Sequence, residues 1–145
     1  MEKQVEGILR GGQFKHLAER ELAGIRQQYD LKRIEIEVLY FLAKNKECNT
    51  LADIHHYLNA NKGHISQALD CLCKRGYLTA EHDKNDRRYV HFFMTDAANE
   101  LSNQINAAWG KLRDEVFAGI SEEDLACFKR VSAQIAQNMN HILEE

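Results

Sequence analysis

Apolar residues recur every three or four positions along nearly all of this chain, and the period breaks in one place, between residues 77 and 95. That pattern constrains the fold most. A period near 3.6 is met by helices that bury one stripe, whereas a switch to β-branched and aromatic runs marks strands. Proline is absent and glycine occurs eight times, so little interrupts a helix. The chain is expected to be mainly α with a small β-hairpin, and its 145 residues suffice for about one domain with its own core.

The apolar stripe Phe14, Leu17, Ala18, Leu22, Ile25 and Tyr29 predicts a first helix. Asp30 is expected to cap a second, striped by Leu31, Ile34, Val38, Leu39 and Leu42. Thr50 with Asp53 reads as a capping box for a short helix with Leu51, Ile54 and Leu58 inward. "NAN" at 59–61 is a turn whose Asn61 caps the next helix, which runs to about Arg75 and stops at Gly76. Two short helices joined by three residues form a helix-turn-helix. Next, "YLTAEH" (77–82) and "YVHFFMT" (89–95) read as strands joined by the six polar residues "DKNDRR". A hairpin directly after a helix-turn-helix is a wing. Thr95 then caps a long helix with the stripe Leu101, Ile105, Ala108, Leu112, Val116 and Ile120. "SEED" at 121–124 opens a last helix striped by Leu125, Phe128, Ile135, Met139 and Ile142.

At about 100° per residue, Ile65, Ala68, Leu69 and Leu72 share the inward side of the fourth helix. Gly63, Gln67, Asp70 and Lys74 face outward, with His64 and Ser66 at the edges. A recognition helix needs this arrangement, because its first turn must approach DNA closely while offering donors and acceptors to base edges. Gly63 permits the approach, Gln67 can bond adenine at two points, Ser66 can bond a base or a phosphate, and Lys62 favours phosphate. A merely solvated helix face would look similar, and the wing behind it decides between the two.

An arginine at a hairpin tip suits a narrow, negative minor groove, since its guanidinium is always charged and its stem is long. Against this stands the plain alternative that Asp83, Asp86, Arg87 and Arg88 form exposed ion pairs worth about 0 to 1 kcal/mol each. Catalysis is not expected: a polar hairpin tip lacks the desolvated cleft that acid/base work requires, and no nucleophile motif, phosphate loop or dinucleotide fingerprint occurs. No cofactor is expected either.

Charge is uneven. Residues 62–91 hold six basic groups against four acidic ones within a chain of net charge -3, so a locally basic module sits on an acidic body. The charged N-terminal stretch has no run apolar enough for a signal peptide or membrane span, which points to a cytoplasmic protein. The four cysteines, Cys48, Cys71, Cys73 and Cys127, fall within regular apolar patterns and read as reduced, largely buried thiols.

The stretch "LADIHHYLNANKGHISQALDCLCKRGYLTAEHDKNDRRYVHFFMT" resembles the winged helix of the MarR (multiple antibiotic resistance regulator) family of bacterial transcription factors. The likeness rests on the short helix, on the recognition helix ending in Lys-Arg-Gly-Tyr-Leu, and on the Asp-x-x-Asp-Arg-Arg wing closing on Met-Thr. It implies a winged helix-turn-helix DNA-binding domain at 31–95. Residues 1–30 and 96–145 would form helical dimerisation segments that interlock with a second copy as one intertwined domain. It further implies that Arg88 enters the minor groove with Asp86 orienting it; Lys84 and Arg87 are expected to contact DNA beside it, Arg87 at phosphate or else held in an internal ion pair. Gln67 stands where the family often has arginine and Cys71 where it often has a basic residue, so base preference transfers less well than the fold.

The expected function is a homodimeric, sequence-specific transcriptional regulator, an effector-responsive repressor that binds double-stranded DNA at a pseudo-palindromic operator. Its recognition helix contributes Lys62, Gly63, His64, Ser66, Gln67 and Lys74. The last two helices carry more apolar surface than a monomer could hide, which independently favours an isologous dimer. One alternative is a protein-binding module of the same fold; another is a metal- or thiol-responsive sensor. No metal site is expected. The adjacent His55 and His56 diverge by about 100° on a helix, and Cys48 and His16 supply no partner at a spacing of four. Cys71 and Cys73 point about 200° apart, too divergent for a mutual disulfide, and Cys71 is the best exception to inert thiols. The resemblance places a small-molecule effector pocket where the dimer helices meet the winged domain, with His16, Arg26, Tyr29 and Tyr40 as candidate lining residues.

Overall fold

The computed structural model describes residues 12–144. Its elements follow in the order α1 (Gly12–Tyr29), α2 (Arg33–Lys44), α3 (Leu51–Leu58), α4 (Lys62–Lys74), β1 (Leu78–His82), β2 (Val90–Met94), α5 (Asp96–Val116) and α6 (Glu122–Glu144). Among the described residues the two strands form one antiparallel hairpin, and no helix is long and apolar enough to cross a membrane. The described residues divide into two compact units, 22–109 and 12–21 with 110–144. The first unit is wider than 31–95 and takes in the end of α1 and most of α5.

The core of the 22–109 unit is built from the stripes read in the sequence. Ile36, Val38, Leu39 and Leu42 of α2, Ile54 and Leu58 of α3, Ile65, Ala68, Leu69 and Leu72 of α4, and Leu101 and Ile105 of α5 are buried together. The local stops and starts are equally regular. Thr50 Oγ1 accepts from the Asp53 N–H at 3.2 Å while Asp53 Oδ2 accepts from the Thr50 N–H at 3.0 Å, a reciprocal capping box. Helix α4 ends in a Schellman motif: Gly76 adopts φ 78°, its N–H donates to the Cys73 carbonyl at 3.1 Å, and the Tyr77 N–H donates to the Leu72 carbonyl at 2.9 Å.

Several expectations are corrected. Asp30 does not cap the second helix; it adopts φ 50° after α1, and Lys32 holds the cap position. A lysine side chain has no acceptor, so the end is satisfied from the other side, by the Lys32 N–H donating to Glu35 Oε2 at 2.7 Å. Leu31 is then not a helix residue but lies just outside α2, and it and Ile36 inside the helix are both buried, at the two positions of a hydrophobic staple. The hairpin connection is longer than "DKNDRR" by Tyr89, which is exposed. Ile120 does not continue the α5 stripe: the helix stops at Val116, Gly119 takes φ 80°, and Ile120 is exposed. Cys48 and Cys127 are exposed and Cys71 and Cys73 half-buried, so the thiols are less buried than their apolar neighbourhood implied.

In α6, Leu125 is half-buried, but Phe128, Val131, Ile135, Met139 and Ile142 are exposed, at steps of three and four along one face. The expected stripe is therefore present and faces outward from the chain.

Candidate nucleic-acid interface

Helix α4 is held by its buried side, and this frees the opposite side. Asn61 Oδ1 caps it by accepting from the Gly63 N–H at 2.8 Å. A Cβ at residue 63 would lie 3.0 Å from that oxygen, so glycine here also makes room for the cap. The preceding turn is closed by Asn59 at φ 50° and by His55, whose Nδ1–H donates to the Ala60 carbonyl at 2.8 Å. Lys62, Gly63, His64, Ser66, Gln67, Asp70 and Lys74 are all exposed. Lys74 does not stand alone: its Nζ lies 2.7 Å from Asp70 Oδ2, and that carboxylate raises the lysine pKa. Arg75, just beyond, donates to the carbonyls of Asp30 and Tyr29 and lies over the Tyr77 ring at 5.4 Å, so this part of the local positive charge is tied to the scaffold.

The wing is ordered by its own aspartates. Strands β1 and β2 pair from Leu78 opposite Met94 to His82 opposite Val90. In the connection, Asp83 Oδ1 accepts from the N–H groups of Asn85 at 2.8 Å and Asp86 at 3.0 Å. Asp86 in turn accepts from the Arg88 N–H at 3.1 Å, from Nε at 3.0 Å and from Nη2 at 2.7 Å. Arg88 is thus gripped at the base of its guanidinium while its side chain stays 86% exposed. The same contact lowers the Asp86 pKa and raises that of Arg88. Lys84 and Arg87 are exposed on the same connection.

Two residues here escaped the sequence reading, Asn49 and His91. The His91 Nε2–H donates to Asp83 Oδ2 at 2.8 Å, and its Nδ1 lies 2.5 Å from Asn49 Oδ1. The Phe92 N–H donates to the Asn49 carbonyl at 3.0 Å, and Thr50 bridges His91, so the loop before α3 continues the sheet beyond β2. The signal for His91 was a polar residue inside the apolar run "VHFFM"; nothing local pointed to Asn49, which is 42 residues away.

The Asp83 carboxyl is pulled from its ordinary 3.8 down to about 2, first by the His91 hydrogen bond and then by the N–H groups of Asn85 and Asp86. A folded value below the unfolded one means the contribution is complete above 3.8 and is lost as pH falls towards about 2. Carboxyl-carbon NMR titration of Asp83 is expected to give a midpoint near 2; a midpoint near 3.8 would contradict this network.

The remaining candidates are dispersed. Tyr29 Oη accepts from Gln104 Nε2 at 2.7 Å, Tyr40 packs on Trp109 at 5.8 Å between centroids, Arg26 Nε donates to the Leu31 carbonyl at 3.4 Å, and His16 is exposed on the N-terminal part of α1. A cleft of about 400 Å³ opens instead between α2, β2 and α5, with Lys46, Asn49, Phe92, Met94, Ser102 and Asn106 among its walls. Arg26, Tyr29 and Tyr40 do not line it. His55 is half-buried and bonded to its own turn while His56 is exposed, and among the described residues no group of three or more His, Cys, Asp or Glu is gathered for a metal.

Residues 31–98 match the family of winged helix DNA-binding domains. Among solved structures, the chain is similar to a MarR protein from Peptoclostridium difficile, with TM-score 0.76, 19% identity and coverage of 92% of this chain and 88% of that one. It is also similar to a MarR-family transcriptional regulator from Silicibacter pomeroyi, with TM-score 0.73, 17% identity and coverage of 88% and 82%. Staphylococcus aureus MepR, solved in complex with DNA, gives TM-score 0.71, 16% identity and coverage of 87% and 93%. In sequence, 75 residues are 33% identical to mouse killer cell lectin-like receptor 2, covering 48% of this chain and 26% of the receptor. The chain therefore spans about a quarter of the length of that curated relative. The receptor match covers too little of either chain to assign a fold, whereas the family match and the structural neighbours agree on one. Residues 31–98 match the winged helix DNA-binding domain family, and the chain that carries them has the fold of solved structures described as MarR-family transcriptional regulators.

Proposed function

We propose that this chain is a homodimeric, sequence-specific DNA-binding transcriptional regulator, an effector-responsive repressor acting at a pseudo-palindromic operator. The observation that carries the reading is the pairing, within one compact unit, of an exposed polar face on α4 with a wing whose exposed Arg88 is bonded by Asp86. Gly63, Ser66 and Gln67 enter the major groove, with Lys62 on phosphate; Arg88 enters the minor groove, where a guanidinium suits the strong negative potential. Lys84 and Arg87 add phosphate contacts. His64 sits at the edge of the same face, and Lys74 reaches DNA only by leaving Asp70.

The outward stripe of α6 supports the dimer. Burying an aliphatic or aromatic side chain of this size is worth roughly 1.5–3 kcal/mol, and five such residues on one face are what a two-fold partner covers. Two recognition helices would then meet half-sites about 34 Å apart. The repressor releases its operator when an effector alters the spacing of the two winged units.

A mobility-shift titration over upstream and random DNA tests the reading. Arg88→Ala is expected to weaken binding to all sequences and to lower the slope of log K against log salt by about 0.9 for each phosphate charge no longer neutralised. Gln67→Ala is expected to change which bases are preferred and leave the slope alone. Wild-type affinity in both variants, or no binding by the wild type at low salt, sinks the assignment.

A further inference from the structure

We propose that the cleft between α2, β2 and α5 is a ligand site for a small polyhydroxylated molecule of about monosaccharide size that carries one anionic group, a sugar phosphate or a sugar acid, and that its occupant is the effector of this regulator. The proposal rests on the effector-responsive reading above for its effect on DNA, whereas the site itself stands on the chemistry of the cleft.

The volume of the cleft, about 400 Å³, lies within the roughly 300–1,000 Å³ of small-molecule pockets. On α5, Asn99, Ser102, Asn103 and Asn106 wall it from one side of the helix, while Ala98, Leu101 and Ile105 on the other side are buried in the core. A solvated helix face would also be polar, but these walls are not all solvated. Ser102 is 4% exposed, and Asn49, which joins the walls from the loop before α3, is 6% exposed. Both keep hydrogen-bonding capacity in reserve. One polar atom of the Asn49 amide lies 2.5 Å from His91 Nδ1; the other has no partner among the described residues, whichever way the amide is turned. Ser102 Oγ accepts a long contact of 3.5 Å from Asn106 Nδ2, and its hydroxyl hydrogen has no acceptor among the described residues. Buried polar groups ordinarily find partners, so two such side chains in the walls of one cleft call for a polar occupant.

The wall chemistry selects the ligand. An amide offers both donors and an acceptor, as a hydroxyl does, and this matches a row of ligand hydroxyls that themselves donate and accept. No carboxylate lines the cleft among the described residues, whereas the exposed Lys46 does, so one negative charge is favoured over a positive one. Leu42, Phe92 and Met94 supply an apolar wall against which the C–H face of a sugar ring can lie. The same walls give the occupant its leverage on DNA binding. Phe92 and Met94 belong to β2, the strand that leads out of the wing, and the Phe92 N–H donates to the carbonyl of Asn49, beside the start of α3. The remaining polar groups belong to α5. A ligand bonded to both sides favours one placement of the wing strand against α5, and its affinity differs between placements, which is what coupling to the operator requires.

Titration of the full chain with glucose 6-phosphate and with gluconate, followed by NMR of the side-chain NH2 groups, reads the site. Saturable shifts of the Asn49, Asn99, Asn103 and Asn106 amides are expected with at least one of the two, and the tighter of them identifies which anionic group the site takes. Glucose, which keeps the hydroxyls without the charge, and inorganic phosphate and benzoate, which keep a charge without the hydroxyls, are each expected to bind about tenfold or more weakly. Lys46→Gln, at an exposed position, should lower the affinity for the anionic sugar about tenfold more than that for glucose, and the exposed Asn103→Ala should weaken both alike. In the mobility shift, saturating ligand is expected to change operator affinity by about 5- to 150-fold, with Lys46→Gln needing about ten times more of it. The absence of saturable shifts in those amides, or benzoate or phosphate binding as tightly as both anionic sugars, overturns the site. Operator affinity unmoved by saturating ligand overturns its role as effector. Should the wild type bind no DNA, the regulator reading fails on its own, and the NMR titrations of wild type and Lys46→Gln still decide the site.

Discussion

Leu72→Ala is expected to lower the unfolding free energy by about 2–5 kcal/mol, seen as a lower urea midpoint at unchanged slope. Leu72 is fully buried on the inward side of α4, in a cluster with Leu39, Ile54, Ile65 and Leu69, so truncation removes both its transfer from water and the contacts of the cavity left behind. Its neighbour on the other face gives the control. Gln67→Ala, one and a half turns away and exposed, should stay within about 0.5 kcal/mol. The helix would then show two separable economies, one side setting stability and the other setting base preference. A Leu72→Ala effect no larger than that of Gln67→Ala would mean that α4 is not seated as described.

The second large effect is expected from charge in the α6 stripe. Ile135 and Met139 are exposed on the chain, 48% and 54%, so in a monomer aspartate at either position would be tolerated. In the proposed dimer the same carboxylates would be buried against a partner's apolar face, where an unpaired charge costs several kcal/mol. Ile135→Asp with Met139→Asp should therefore halve the mass found by analytical ultracentrifugation while leaving the helical circular dichroism of the 22–109 unit in place. Operator affinity should drop by about 10² to 10⁴, the avidity forfeited when two half-sites are no longer bound by one particle. A dimer of unchanged mass would place the two-fold interface elsewhere.

Features that depend on a few consecutive residues were legible from the chain. Thr50 with Asp53, Asn61, Gly76 and Ser121 with Asp124 all act within one turn of backbone, and each does so as its spacing implies. The same is true of the inward and outward sides of α4, because 100° per residue distributes Ile65, Ala68, Leu69 and Leu72 without reference to the rest of the molecule. The error at Asp30 is instructive. Asp is a good cap by type, yet the chain turns there through a left-handed residue, which Asp also tolerates, and the cap passes to Lys32 and Glu35.

Position and polarity along the sequence thus determined the helices, the two strands and the face of α4 that meets solvent, which rest on short-range periodicity, while the grip of Asp86 on Arg88 was what the family resemblance implied. Only the tertiary structure decided which long-range partners those elements take. It set His91 between Asp83 and an asparagine 42 residues earlier, turned Arg75 back onto the end of α1, and left the α6 stripe facing outward. The reason is physical: periodicity states that a face is apolar or that a side chain is polar, but hydrophobic burial has no direction, and a hydrogen bond has a partner only once the fold has brought the two groups together.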